Sequence, residues 1–379
     1  MKQPVCDEIT SFLVMDVLEK AQELEKLGKH IIHLQIGQPD FSTPECIMDA
    51  AAKAMRDGHT GYTHSMGILP LREALAAYYE REYGVNVSPE RIVVTSGTSP
   101  AMLLLFSAMF DKGGRAIISD PCYACYANFI MYTGGEITSV PTMEENGFQL
   151  NVDDVRARLT PDTKALLVNS PSNPGGTILK PEEFKALCGM GPTVVSDEIY
   201  HGLVYEGRAA SVLEFSDEAC ALDGFSKRYA MTGWRLGWMV IPESFIPVVQ
   251  KLQQNFMICA NSMAQWAGIA ALEQAGPDVE RMRQEYDRRR KVLLAGLRSI
   301  GLTVKSEPVG AFYVLANARH ISNDSLALAF DILEKAGVGV APGIDFGSGA
   351  EGYLRFSYAN SVENIEEGID RLRRYLENR

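Results

Sequence analysis

"PTVVSDEIY", residues 192–200, sets a β-branched run, Thr193 to Val195, directly against a serine, two carboxylates and a tyrosine. A strand with one wet face alternates apolar with polar residues, whereas an unbroken aliphatic run suits a strand covered on both faces. The same construction recurs in "RIVVTSG" (91–97), "RAIISDP" (115–121), "KALLVNSP" (164–171) and "RLGWMVIP" (235–242), with helical stretches between them from about residue 44 to 275. Short, doubly covered strands alternating with helices predict an α/β fold with a mostly parallel sheet.

Working outward, residues 14–27, "VMDVLEKAQELEKL", repeat apolar positions at helical spacing and stop at Gly28. A strand-like "IIHLQIG" follows and runs into the turn "QPDFSTPE". Beyond Pro277, "DVERMRQEYDRRRKVLLAGLRSIG" predicts a long charged helix whose basic run forms a solvated face. "GAFYVLA" and "GYLRFSYA" read as strands, with antiparallel pairing expected. No repeat, low-complexity tract or flexible linker interrupts this order.

A chain of 379 residues exceeds the size at which one hydrophobic core keeps growing, so two lobes are expected. The formal net charge of −12 argues against a general affinity for nucleic acid or an anionic membrane, leaving a small molecule as the expected partner. Apolar runs such as "AMLLLFSAMF" (101–110) fall well short of the roughly 18–20 residues that span a bilayer. The opening "MKQPVCDEIT" carries acids where a secretory signal would be apolar, which predicts a cytoplasmic location. Seven dispersed cysteines suit reduced thiols. Cys122 and Cys125 do form C-x-x-C in "DPCYACY", either a redox pair or a coincidence; the second half of a zinc site is absent, and no metal is expected.

In a doubly wound sheet, ligands bind beyond the carboxyl ends of the strands. Those ends are polar here. "RIVVTSG" ends at Ser96, Gly97, Thr98 and Ser99 ahead of a helix, offering unpaired backbone N–H groups to an anion. "KALLVNSP" ends at Asn169 and continues as "SPSNPGG", and "PTVVSDEIY" ends at Asp197 with Tyr200 one turn later. Taken singly, each reads equally as a cap or a turn. Taken with "SKRYAMTGWRLGW" (226–238), they meet the needs of an aromatic cofactor with a phosphate arm. Thr98 and Ser99 amides, Ser226 and the planar fork of Arg235 suit phosphate. Asp197 suits a ring nitrogen, Asn173 and Tyr200 a ring oxygen, Tyr123 the ring face, and Lys227 an imine. Gly233 and Gly237 are expected to let the backbone turn tightly around Arg235.

At every specified position "SKRYAMTGWRLGW" resembles the pyridoxal-phosphate attachment motif of class I and II aminotransferases, S-K-x-x-x-x-x-G-x-R-x-G. The likeness continues in the family's order through "LQIGQPDFSTPE", "GYTHSMGILPLREAL", "VTSGTSPAM", "SDPCYACY", "VNSPSNPGG", "VSDEIYHGLVYEG", "AFYVL" and "YLRFSYA". It implies the aspartate aminotransferase type of fold, fold type I. A large domain (44–275) would carry a mostly parallel seven-stranded sheet, and a smaller α+β domain would combine 1–43 with 276–379. The resemblance further implies pyridoxal 5'-phosphate as cofactor and a ping-pong transfer between an α-amino acid and a 2-oxo acid through an internal aldimine on Lys227. Arg235, with Gly97, Thr98, Ser99 and Ser226, would hold the phosphate, Asp197 the pyridine nitrogen, and Asn173 and Tyr200 the phenolic oxygen, with Tyr123 on the ring. Arg355 in "YLRFSYA" would clamp the substrate carboxylate beside Gly37. Tyr62 would reach the phosphate in the partner subunit of a homodimer. The C-x-x-C pair then becomes incidental.

Two other activities use comparable parts. A lyase on the same scaffold would cleave a C–S bond, and a non-catalytic regulator would need a DNA-binding segment, of which the chain has no sign. On side-chain preference, Ser99 stands where bacterial aspartate-selective members often carry a lysine, and Phe12 and Leu13 offer apolar contacts. A neutral donor side chain, such as alanine's or an aromatic, is therefore expected, with glutamate and 2-oxoglutarate still open as the shared amino couple and His64 as a further candidate contact.

Overall fold

The computed structural model describes Asp7 and residues 9–379. Its strands are β1 (Ile32–His33), β2 (Ile92–Thr95), β3 (Arg115–Asp120), β4 (Glu136–Pro141), β5 (Thr163–Asn169), β6 (Thr193–Asp197), β7 (Cys220–Gly224), β8 (Gly237–Val240), β9 (Tyr313–Asn317), β10 (Val338–Gly339), β11 (Ala341–Pro342) and β12 (Tyr353–Ser357). A seven-stranded sheet runs in the order β2-β8-β7-β6-β5-β3-β4. Strand β8 is antiparallel to both neighbours, and all other pairings in this sheet are parallel.

The continuous apolar runs have the expected cause. Along β5, Leu166 and Val168 enter one core while Ala165 and Leu167 enter the core on the opposite face. Each fully buried aliphatic side chain of this kind contributes about 1.5–3 kcal/mol. Two strands of the sheet lack that pattern. Strand β4, "EITSVP", lies at the sheet edge with most of its side chains at least partly in water, so it keeps polar residues. Strand β7, "CALDG", is wholly buried but ends in an aspartate and a glycine, directly ahead of the helical turn that carries Lys227.

At the other end of the molecule β11, β12 and β9 form the expected antiparallel sheet. Only Ile32 and His33 of "IIHLQIG" make a strand, pairing in parallel with β10; Gln35 to Gly37 leave it to line a cavity. The helix Leu13–Lys26 buries Val14, Val17, Ala21 and Leu24, packs against Leu333, and is followed by Gly28 at φ 84°.

The helix Gly276–Ser299 corrects one expectation. Arg289 and Arg290 are buried rather than solvated. Arg289 donates to both oxygens of Asp40, at 2.7 and 2.9 Å, and Arg290 donates to Asp287 at 2.9 Å and to the Pro308 carbonyl at 2.6 Å. A guanidinium carries enough donors in a fixed fork to tie a helix to neighbouring loops, and those pairings outweigh its preference for water. Arg281 and Arg288 do lie outward, paired within the helix to Asp278 and Glu285, while Arg283 is half-buried, paired to Glu280 and donating also to the Val204 carbonyl.

Candidate active site

The carboxyl ends of β2, β5 and β6 open into a cavity of about 390 Å³, closed on its far side by Gln35 to Gln38, the first turns of the helix Leu13–Lys26, and β12 through Arg355. Lys227, Arg235 and Asp197 all face it. Lys227 sits on the single helical turn Phe225–Arg228 that leaves β7 at Gly224. Its Nζ donates to the Gly37 carbonyl at 2.5 Å, which brings the segment after β1 onto the lysine. Burial, followed by the nearby Arg355 and Arg235 charges, lowers the Lys227 pKa to about 8, with Asp197 opposing the shift.

Asp197, the last residue of β6, accepts from the Tyr126 hydroxyl at 2.6 Å on Oδ2 and from the Ile199 N–H at 3.2 Å on Oδ1. Burial raises its carboxyl to about 6, against the pull of these two donors and of Lys227. Asn173 is placed by its own N–H, which donates to Asn169 Oδ1 at 2.6 Å; its side-chain oxygen then accepts from Arg355 Nη1 at 2.9 Å. Arg355 also donates to the Gln35 carbonyl at 2.6 Å and lies over the rings of Tyr313 and Phe346, 4.2 and 4.7 Å from their centroids. Its Nε is buried and has no partner among the described residues. The hydroxyls of Tyr200 and Tyr313 share a hydrogen bond of 3.0 Å.

The anion end is built from two elements. Gly97, at φ 100°, precedes the helix Thr98–Phe110, whose first residues Thr98 and Ser99 line the cavity together with Ser226. A Cβ on Gly97 would lie 2.8 Å from Arg235 Nη2, so the glycine leaves the guanidinium its space. The glycine-turn expectation for 226–238 is corrected. The left-handed residues there are Ala230 (φ 52°) and Arg235 (φ 53°), while Gly233 and Gly237 are not left-handed. Gly237 is needed for close approach instead, since its Cβ would sit 3.0 Å from the Gly97 backbone and 3.1 Å from the Asp223 carbonyl.

The cavity thus gathers Gly37, Thr98, Ser99, Tyr123, Asn173, Asp197, Tyr200, Ser226, Lys227, Arg235 and Arg355 in its wall. Tyr123 packs edge-on against Tyr126 and Phe12. Tyr62 lies outside and is 84% exposed. Phe12 lines the wall, but Leu13 and His64 do not. Asn169, read from the sequence as a polar strand end, does line the wall, whereas Gln35, Tyr126 and Tyr313 are wall residues the sequence did not single out. Tyr126 stands close to Tyr123, which the sequence did single out, yet nothing local marks which of the two aromatics turns toward Asp197. The C-x-x-C thiols are free, and burial pushes Cys122 up to about 12 and Cys125 above its ordinary value, so neither is the thiolate a redox pair requires.

The family model described as aminotransferase class I and II matches residues 29–372. The chain belongs to this family. It is a pyridoxal-phosphate-dependent aminotransferase of fold type I, acting between amino acids and 2-oxo acids. Similar proteins include the (5-formylfuran-3-yl)methyl phosphate transaminase of Methanocaldococcus jannaschii, 40% identical over 370 residues covering 97% of each chain. The aspartate/prephenate aminotransferase of Thermus thermophilus is 40% identical over 365 residues, 94% of each chain. Among solved structures, the Thermus thermophilus aspartate aminotransferase with maleate superposes with a TM-score of 0.94 at 38% identity, covering 99% of each chain.

The aminotransferase's own donor set fits this cofactor. A helix N-terminus and an arginine meet at a glycine with no room for a side chain, and a buried lysine and a buried carboxylate share the same space. Among the described residues, no helix is long and apolar enough to cross a membrane, and no cluster of His, Cys, Asp and Glu is arranged to hold a metal ion.

Proposed function

We propose that the cavity residues divide the transamination among themselves as follows, and the observation that carries the reading is the convergence of Lys227, Arg235 and Asp197 on one space. Arg235, the Ser226 hydroxyl and the amides from Gly97 to Ser99 hold the cofactor phosphate. Asp197 would face the pyridine nitrogen and favour its protonated form, Asn173 and Tyr200 would hold the phenolic oxygen, and Tyr123 would lie beside the ring. Bound pyridoxal phosphate supplies the electron sink for the negative charge left at the substrate Cα.

Arg355 binds the substrate carboxylate through its fork, with the Gly37 backbone alongside. A Cβ on Gly37 would fall 2.1 Å from the Tyr313 hydroxyl, so only glycine leaves that approach open. Lys227 Nζ takes the proton from the substrate Cα; an amine with its pKa near 8 is neutral often enough at physiological pH to do so. In the second half of a ping-pong cycle the same amine returns a proton to the Cα of a new amino acid formed from the incoming 2-oxo acid.

The active form we infer is a cytoplasmic homodimer in which exposed Tyr62 reaches the phosphate of the partner subunit. We also infer a large domain at 44–275 and a small one from 1–43 with 276–379, supported by the pairing of β1 with β10. The decisive experiment is Lys227→Ala, assayed for amino transfer from a panel of donors with circular dichroism as a control for folding. Activity is expected to drop by at least the ~10²–10⁴-fold attributable to a lost general base. Wild-type transfer by the folded variant would overturn the assignment.

A further inference from the structure

The end of the cavity away from the phosphate cradle is roofed by Phe12, Val14, Met15 and Leu18 of the N-terminal helix and by Ile36. All are apolar. The cations in the whole cavity wall are Lys227, Arg235 and Arg355, and the proposed mechanism already engages each of them. Among the described residues no further cation lines the cavity to meet a second carboxylate, and a buried carboxylate without a partner is strongly disfavoured.

A carboxylate stands behind the roof. The helix Leu13–Lys26 begins at Phe12 without a side-chain cap of its own. Asp345 replaces it, Oδ1 accepting from the Leu13 N–H at 2.9 Å and Oδ2 from the Val14 N–H at 3.1 Å. Asp345 lies in the turn Gly343–Phe346, whose last residue supports the Arg355 guanidinium. One short turn thereby fixes both the carboxylate clamp and the apolar roof, and Phe12 is braced from the other side by the Tyr123 ring.

From this we infer, building on the function proposed above, that the enzyme selects α-amino acids with uncharged apolar side chains over aspartate and glutamate. Phe12, Val14, Met15 and Leu18 form the side-chain pocket, and Asp345 is the positioning residue that holds them over Arg355. The apolar side chain displaces water from an apolar wall, whereas a distal carboxylate would be desolvated beside the Asp345 charge.

The test uses the holoenzyme and the donor half-reaction, which needs no acceptor and is followed by the absorbance change of the cofactor. L-phenylalanine, L-methionine and L-leucine are compared with L-aspartate and L-glutamate. We expect kcat/KM to favour the best apolar donor at least tenfold. Met15→Lys puts a cation on an exposed roof position that tolerates one, and should shift the ratio toward the dicarboxylates by at least tenfold. Asp345→Asn should raise KM for apolar donors with kcat held. Calorimetry adds a readout apart from turnover: 3-phenylpropionate should bind the wild type more tightly than succinate. A preference for aspartate or glutamate, or an unchanged ratio in a folded Met15→Lys, overturns the inference; the former would mean that a cation from outside this chain reaches the roof. Failure of every donor would instead overturn the proposed function itself.

Discussion

Asp197 shows how much of the chemistry turns on a single neighbour. Its two oxygens are each held by one donor, Tyr126 and the Ile199 N–H, on a side chain that is nearly all buried. Of these two donors, the tyrosine lowers the carboxyl pKa more. Removing it with Tyr126→Phe leaves the carboxylate less stabilised and freer to rotate away from a ring nitrogen. A hydrogen bond to a charged group is worth roughly 1.5–3 kcal/mol, so cofactor affinity should fall about 10- to 100-fold, measured by equilibrium titration of the apoprotein. An unchanged affinity would mean that Tyr126 packs without positioning.

At the level of elements, β8 is the strand that cannot shift. It enters the sheet antiparallel between β2 and β7, directly after Arg235, and passes so close to Gly97 that Gly237 has no space for a Cβ. Gly237→Ala should therefore destabilise the protein by about 1–3 kcal/mol in chemical denaturation, the range for overpacking. Gly233, four residues earlier in the same motif, meets no atom within 4 Å. Gly233→Ala should stay within about 0.5 kcal/mol of wild type. Equal effects at the two glycines would show that the backbone crossing is not the constraint.

For the molecule as a whole, the site weakens the empty protein in order to bind. The folded state raises the Asp197 pKa from 3.8 to about 6. Its contribution to stability is complete below the unfolded value and is lost as pH rises through about 6. Asp197→Asn lacks that titration. The thermal stability of apoprotein Asp197→Asn relative to wild type should thus grow from pH 4 to pH 7, levelling off above about 6 at a difference of order 3 kcal/mol. A difference independent of pH would remove the buried carboxylate from the account. Much of this architecture was readable beforehand. Unbroken apolar runs ending in Thr98, Asn169 and Asp197, and the spacing of Lys227 and Arg235, are local patterns: burial on both faces and a phosphate cradle each impose their own periodicity on neighbouring residues. What only the tertiary structure decided involves partners far apart in the chain. Gly37 receives the hydrogen bond of Lys227, Arg355 meets Asn173 across 182 positions, Tyr126 rather than its neighbours turns to Asp197, and Arg289 and Arg290 are buried. Long-range pairing leaves no repeat along the sequence, because its cost and reward are realised only once both segments have folded against each other.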